Sequence, residues 1–175
     1  MASLKIHIYP NLSDIDADEW NALAGDDNPF LQHAFLNALE EHQCVGEHFG
    51  WYPVHLAIRG ENDQLMAAMP MYVKTNYYGE FVFDWSWESA YQQQGMNYYP
   101  KLVVSIPYTP ATGSRLLVHP DLENADSFRD LLVAQAIRFA QEQKFSSIHW
   151  LFTDESDTEY FKRKGMIQRV GCNYH

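Results

Sequence analysis

The chain has 175 residues and a mass of 20.3 kDa, with 46% hydrophobic and 15% aromatic side chains, which is enough apolar material for one real core. Acidic residues number 23 against 12 basic, and the net charge of −11 excludes broad, nonspecific contact with phosphate backbones. Two cysteines, Cys44 and Cys172, are too few for a disulfide framework. The longest apolar runs, such as Leu65 to Met71, are too short to span a bilayer, and the N-terminus has no apolar signal core, so a cytoplasmic protein is expected.

Leu4, Ile6 and Ile8 alternate with Lys5, His7 and Tyr9, the period of a half-buried strand. Asp16 to Glu19 reads as a capping box ahead of a helix carrying Trp20 and Leu23. Asn28-Pro29 supplies a cap and a first-turn proline for a second helix, with Leu31, Phe35, Ala38 and Leu39 on one face. Val54, Leu56 and Ile58 then alternate with His55, Ala57 and Arg59, and a turn at Gly60 to Asp63 leads into Leu65 to Met71, a hairpin of two core strands.

Residues 79 to 117 crowd aromatics, prolines, glycines and a few charges together. Pro100, Pro107 and Pro110 fix φ and remove backbone donors, so strands broken by turns are expected there. Arg115 to His119 reads as a short strand ended by Pro120, and Phe128, Leu131, Leu132, Ala136 and Phe139 repeat at helical spacing through about Gln143. Ile148, Trp150 and Phe152 mark a strand, Asp157 to Lys164 a helix stopped by Gly165, and Met166 to Val170 a last strand. With no repeat or linker, the pattern predicts one α/β domain whose central, mixed and mostly antiparallel sheet is flanked by helices, the 127–143 helix among them.

Polar groups at strand ends beside tryptophans and tyrosines are where a cleft is most easily built, and the candidates are Asp84, Trp85, Trp87, Lys101, Tyr108, Thr109 and Arg115. Asp84 is the carboxylate for base or amine-orienting work, since Phe83, Trp85 and Trp87 would desolvate it and raise its pKa. Tyr108 is the candidate donor to a carbonyl or leaving group, and Lys101 and Arg115 the holders of a substrate anion. A metal is not expected: Glu41-His42, Cys44 and Glu47-His48, and the Cys172/His175 spacing, complete no zinc pattern. The Lys162-Arg163-Lys164 cluster reads as favourable placement at a helix C-terminus.

Several ordered elements also carry a resemblance: Asn28 to His33 with Phe35-Leu36 and Ala38 to Glu40; Gly50 to Pro53 with His55-Leu56; Gly79 to Asp84 with Ser86 and Trp87; Tyr98 to Leu102; and Pro107 to Leu117. Together they resemble the FemAB-like group of predicted N-acyltransferases, a bacterial-type family with a GNAT-like fold. The resemblance implies a transferase that acts on a small-molecule or peptide amine acceptor, peptidoglycan-related or otherwise, with acyl-CoA or aminoacyl-tRNA as donor. One departure concerns the donor. GNAT proteins open their cofactor helix with a glycine-rich loop that cradles diphosphate, and here the corresponding run is Asp121-Leu-Glu-Asn-Ala-Asp-Ser127. A second departure is the ending at Gly171 to His175, where relatives continue into a second domain of similar fold. The resemblance therefore implies an N-terminal half that pairs with a C-terminal domain or with itself through a surface near its last strand. A noncatalytic GNAT-like module that binds a ligand or partner is the alternative.

Overall fold

The computed structural model describes residues 4–171. Two long strands form its spine, each broken once: β2 (Trp51–Pro53) and β3 (His55–Arg59) on one side of the hairpin, β4 (Leu65–Met69) and β5 (Met71–Lys74) on the other. Pro70 has no N–H to add to the ladder, and the break falls there and at Val54, whose N–H still donates to the Met71 carbonyl across the hairpin at 2.8 Å. The two halves of the spine enter different sheets. The first has the order β1-β3-β4-β7, all antiparallel, with β1 at Lys5–Tyr9 and β7 at Leu117–Val118. The second has the order β2-β5-β6-β8, where β6 (Lys101–Val104) is antiparallel to β5 and parallel to β8 (Ile148–Trp150).

Side-chain alternation divides the core by face. Leu56, Ile58, Ala67 and Met69 of the first sheet, with Leu102 and Val104 of the second, pack against Leu132, Val133 and Ala136 of α4 (Ala125–Gln143) and Tyr160 and Phe161 of α5 (Glu155–Arg163). On the other side of the first sheet, Ala57, Ala68 and Leu117 meet Trp20 and Leu23 of α1 (Ala17–Ala24) and Leu36 of α2 (His33–Glu41). Asp16 caps α1 by accepting from the N–H groups of Asp18 and Glu19. The Glu19 side chain leaves the box, however, to hold the Leu65 N–H at 2.9 Å and Arg59 at 2.9 Å, which ties α1 to the sheet.

Three expectations need correction. The opening strand forms, but as a sheet edge, so Leu4, Ile6 and Ile8 stay exposed rather than half-buried. Within the aromatic segment, Trp85–Gln93 is a helix, α3, where strands and turns were expected; the run has no Gly or Pro, and because α3 buries no side chain it shows no core-facing stripe to be recognised by. The Met166 to Val170 strand does not form: the chain leaves α5 without regular structure, with Ile167 and Val170 almost fully exposed. The Cys172/His175 spacing lies outside the described residues. No described helix is long and apolar enough to cross a membrane.

Candidate functional site

The face of the second sheet turned away from α4 and α5 builds the site. Trp51 pairs with Lys74 and Lys74 with Lys101, while Tyr72 pairs with Val103 and Val103 with His149, so these side chains share one face. Alternation places polar groups here because the opposite face, with Val73, Leu102, Ile148 and Trp150, is committed to α4 and α5.

At the start of β6 the fully buried Lys101 ammonium lies 2.8 Å from Glu80 Oε2 and 3.0 Å from Asp84 Oδ2. The Tyr98 hydroxyl donates to the same Asp84 oxygen at 2.8 Å. His149 Nδ1 is 3.6 Å from it, and His149 Nε2 shares a 2.9 Å hydrogen bond with Ser147 Oγ. The other oxygen, Asp84 Oδ1, takes the guanidinium of Arg169. Asp84 thus stands at the N-terminus of α3 without capping it; its carboxylate turns to Lys101, Tyr98, His149 and Arg169 instead.

These contacts set the protonation states. Burial pushes the Asp84 carboxyl up, but the hydrogen bond and charge of Lys101, the Tyr98 hydroxyl and His149 outweigh it and hold the pKa at about 2. The expectation of a raised Asp84 is corrected accordingly: Phe83, Trp85 and Trp87 are exposed, and the desolvation comes with cations attached. Burial also dominates at Glu80, whose pKa is raised and whose Oε1 has no hydrogen-bond partner in the protein. His149 is lowered to about 4 by burial and the charge of Lys101, against the pull of Asp84, so its imidazole is neutral at pH 7. Lys74 lies 4.2 Å over the Trp51 ring and donates to the Tyr78 carbonyl at 2.9 Å; burial brings its pKa down to about 7.

Of the residues singled out in the sequence, the structure brings Asp84 and Lys101 into direct contact, with Trp85 and Trp87 on the exposed helix that follows. Tyr108 lies on the same sheet face, packed with Trp51, Tyr72 and Val103, and its hydroxyl donates to the Cys44 carbonyl at 2.8 Å. Thr109 beside it bonds back to the Pro107 carbonyl at 3.0 Å. Arg115 is elsewhere: it is fully buried and donates to the carbonyls of Leu151 at 2.9 Å, Ala111 at 2.8 Å and Ser114 at 3.1 Å. The anion-holding role expected of Lys101 and Arg115 is corrected by this burial, since the donors of both are spent inside the fold. His149, Glu80 and Arg169 were not singled out. His149 had a signal: in a strand marked by Ile148 and Trp150, the residue between them faces the other way.

A family model for peptidoglycan biosynthesis/recognition matches residues 11–175. The chain belongs to the FemAB-like family. No curated protein matches it. Among solved structures, this FemAB-like chain is similar to the aminoglycoside N-acetyltransferase AAC(6')-Iy in complex with CoA, at TM-score 0.58 and 9% identity over 100% of this chain and 95% of that one. It is also similar to AAC(6')-Ih from Acinetobacter baumannii, at 0.55 and 11% over 99% and 97%. A third neighbour is the ribosomal-protein-alanine N-acetyltransferase from Brucella melitensis biovar Abortus 2308, at 0.53 and 14% over 99% and 98%. The fold is that of the GNAT acetyltransferases.

The start of α4 does not fit an acyl-CoA diphosphate. Asn124 at the cap makes no side-chain capping bond, and Asp121, Glu123 and Asp126 surround the helix end; of these Asp126 is paired with Arg129 at 2.9 Å and Arg163 at 3.3 Å. Carboxylates occupy the place where the helix dipole would otherwise hold phosphate. Calorimetry with acetyl-CoA is expected to give binding weaker than about 100 μM, and a constant on the order of 1 μM would contradict this electrostatic reading. Among the described residues no group of three His, Cys, Asp or Glu side chains is arranged to hold a metal.

Proposed function

We propose that this chain is an N-acyltransferase, or the acceptor-binding half of one, and that its acceptor is an amine of the peptidoglycan-related or a similar class. The observation that carries the reading is the pairing of a buried, ionised Asp84 with a neutral His149 3.6 Å from it, on a fold whose solved neighbours are named as N-acetyltransferases. In the tautomer protonated at Nε2, that N–H donates to Ser147 Oγ and Nδ1 keeps a lone pair for a proton. A bound ammonium first sheds one proton to solvent. The free amine, oriented by Asp84, attacks the acyl carbon, the carbon–donor bond breaks with its electron pair leaving on the donor group, and the second proton passes from nitrogen to His149 and on to that leaving group. Lys101 and Tyr98 act as positioning residues that fix Asp84. Tyr108 and Thr109 line the far end of the same face, and Trp85 and Trp87 the exposed rim, as substrate contacts.

Because the start of α4 does not suit a diphosphate, this reading assigns the holding of the donor to a second copy or a second domain. Incubation with a panel of diamines and acyl donors, acetyl-CoA and aminoacyl-tRNA among them, should give amide product by mass spectrometry that His149→Ala loses. Product formed equally by His149→Ala removes the reading. The absent diphosphate cradle favours a second reading, a noncatalytic binding module, which predicts amine binding with no product from any donor.

A further inference from the structure

Asp84 distributes its partners unevenly. Oδ2 accepts from Lys101 and Tyr98, with His149 Nδ1 3.6 Å away, and all three are carried by the second sheet or the turn entering it. Among the described residues Oδ1 pairs with Arg169 alone, and Arg169 belongs to the segment after α5. That segment has no regular structure beyond Gly165; Met166 packs on the core, Gln168 Nε2 holds the Thr158 carbonyl at 2.8 Å, and Ile167 and Val170 are 87% and 98% exposed. The Arg169 side chain is itself 48% exposed, whereas Asp84 is 4% exposed. A loosely anchored cation thus reaches from outside onto the free oxygen of a buried carboxylate.

Charge balance shows what the position demands. Glu80 and Asp84 face Lys101 and Arg169, with Lys74 acting on Glu80 from the same sheet face, and without Arg169 no cation among the described residues remains on Asp84 Oδ1. A buried carboxylate oxygen that loses its partner carries a large desolvation cost, so it selects a replacement that is cationic and can donate hydrogen bonds. An anionic or neutral group cannot restore the balance.

We infer that Arg169 occupies, from within the chain, the subsite at which Asp84 Oδ1 receives a cationic amine or guanidinium of the acceptor, and that the 166–171 segment must lift for that acceptor to bind. The inference rests on the reading of this face as an amine-acceptor site. An occupant that closes the site about nine-tenths of the time weakens apparent acceptor affinity about tenfold.

The test uses 1,5-diaminopentane as probe, titrated calorimetrically into the 175-residue chain, with pentanol and pentanoate as neutral and anionic controls. Arg169→Ala is expected to bind the diamine about tenfold more tightly than the unsubstituted chain. Arg169→Lys, which keeps a cation at the end of a similar stem, should stay close to the original affinity, and Asp84→Asn should abolish binding. Arg169→Gln serves if the alanine variant does not fold. Equal or weaker diamine binding in both Arg169→Ala and Arg169→Gln overturns the inference, as does equal binding of pentanol or pentanoate. No acyl donor takes part, so tightened binding without transfer leaves the subsite standing and sinks the transferase reading; transfer with affinity unchanged in the Arg169 variants does the reverse.

Discussion

Lys101→Met is expected to cost about 3–5 kcal/mol of folding stability at pH 7, the usual loss when one partner is removed from a buried ion cluster. Lys101 is fully buried and, among the described residues, it alone bridges Glu80 to Asp84. Methionine fills the stem's volume but leaves the buried Glu80 without its ion-pair partner and Asp84 with Arg169 and Tyr98 only. The effect has a pH signature. In the unsubstituted protein the Asp84 carboxyl sits at about 2, below its ordinary 3.8. Its contribution, about 2 kcal/mol, is therefore fully present above roughly pH 4 and fades as the pH falls through about 2. Without Lys101 burial at Glu80 is opposed only by Lys74, the folded pKa of Glu80 moves further above the unfolded one, and the variant regains stability on acidification from pH 7 towards pH 5. Urea unfolding of both proteins at pH 7 and pH 5 measures this. A loss under about 1 kcal/mol at pH 7, or the same loss at both pH values, would show that Lys101 does not organise the cluster.

Much of the fold was legible because it rests on strong periodicity. The β3–β4 hairpin, α4 and β8 follow from Val54/Leu56/Ile58, from Phe128 through Phe139, and from Ile148/Trp150, and all three pack in the core as their periods require. Where burial is absent the pattern fails. α3 presents Trp85 and Trp87 to solvent, so its apolar residues mark no core-facing stripe, and the apolar residues at 167 and 170 suggested a strand although nothing pairs with them in regular structure. One contact of the candidate site was legible through residue type: a carboxylate and a lysine 17 positions apart in a segment rich in aromatics meet at 3.0 Å. Its other members come from distant segments. His149 lies on a strand added in parallel by a long crossover, and Arg169 on a segment with no periodicity, so only the folded chain places them beside Asp84. The protonation state was the least readable. The same burial that would raise Asp84 also brings Lys101 against it, and the sign of the shift depends on that distance.

The split between Asp84 and His149 is the sharpest expected result for chemistry. Asp84→Asn keeps the shape of the side chain and can still accept from Tyr98, but it has no charge with which to hold an ammonium group. Glu80 remains 2.8 Å from Lys101, so the lysine keeps a counter-charge and the variant should fold. His149→Ala removes the neutral imidazole while leaving the Asp84–Lys101 pair in place. If Asp84 orients the amine and His149 takes its proton, the first variant should raise KM for the amine strongly, and the second should lower kcat with KM nearly unchanged. Each should lower kcat/KM by about 100-fold or more, the scale of one lost general base or one lost charged anchor. The measurement is steady-state transfer to a diamine, in whatever assembly shows activity, beside circular dichroism to confirm folding. Unchanged turnover in Asp84→Asn would remove Asp84 from the mechanism. A kcat loss in Asp84→Asn with unaltered KM, matched by a KM effect in His149→Ala, would exchange the two roles and place proton transfer on the carboxylate, which a pKa near 2 makes the poorer base of the two.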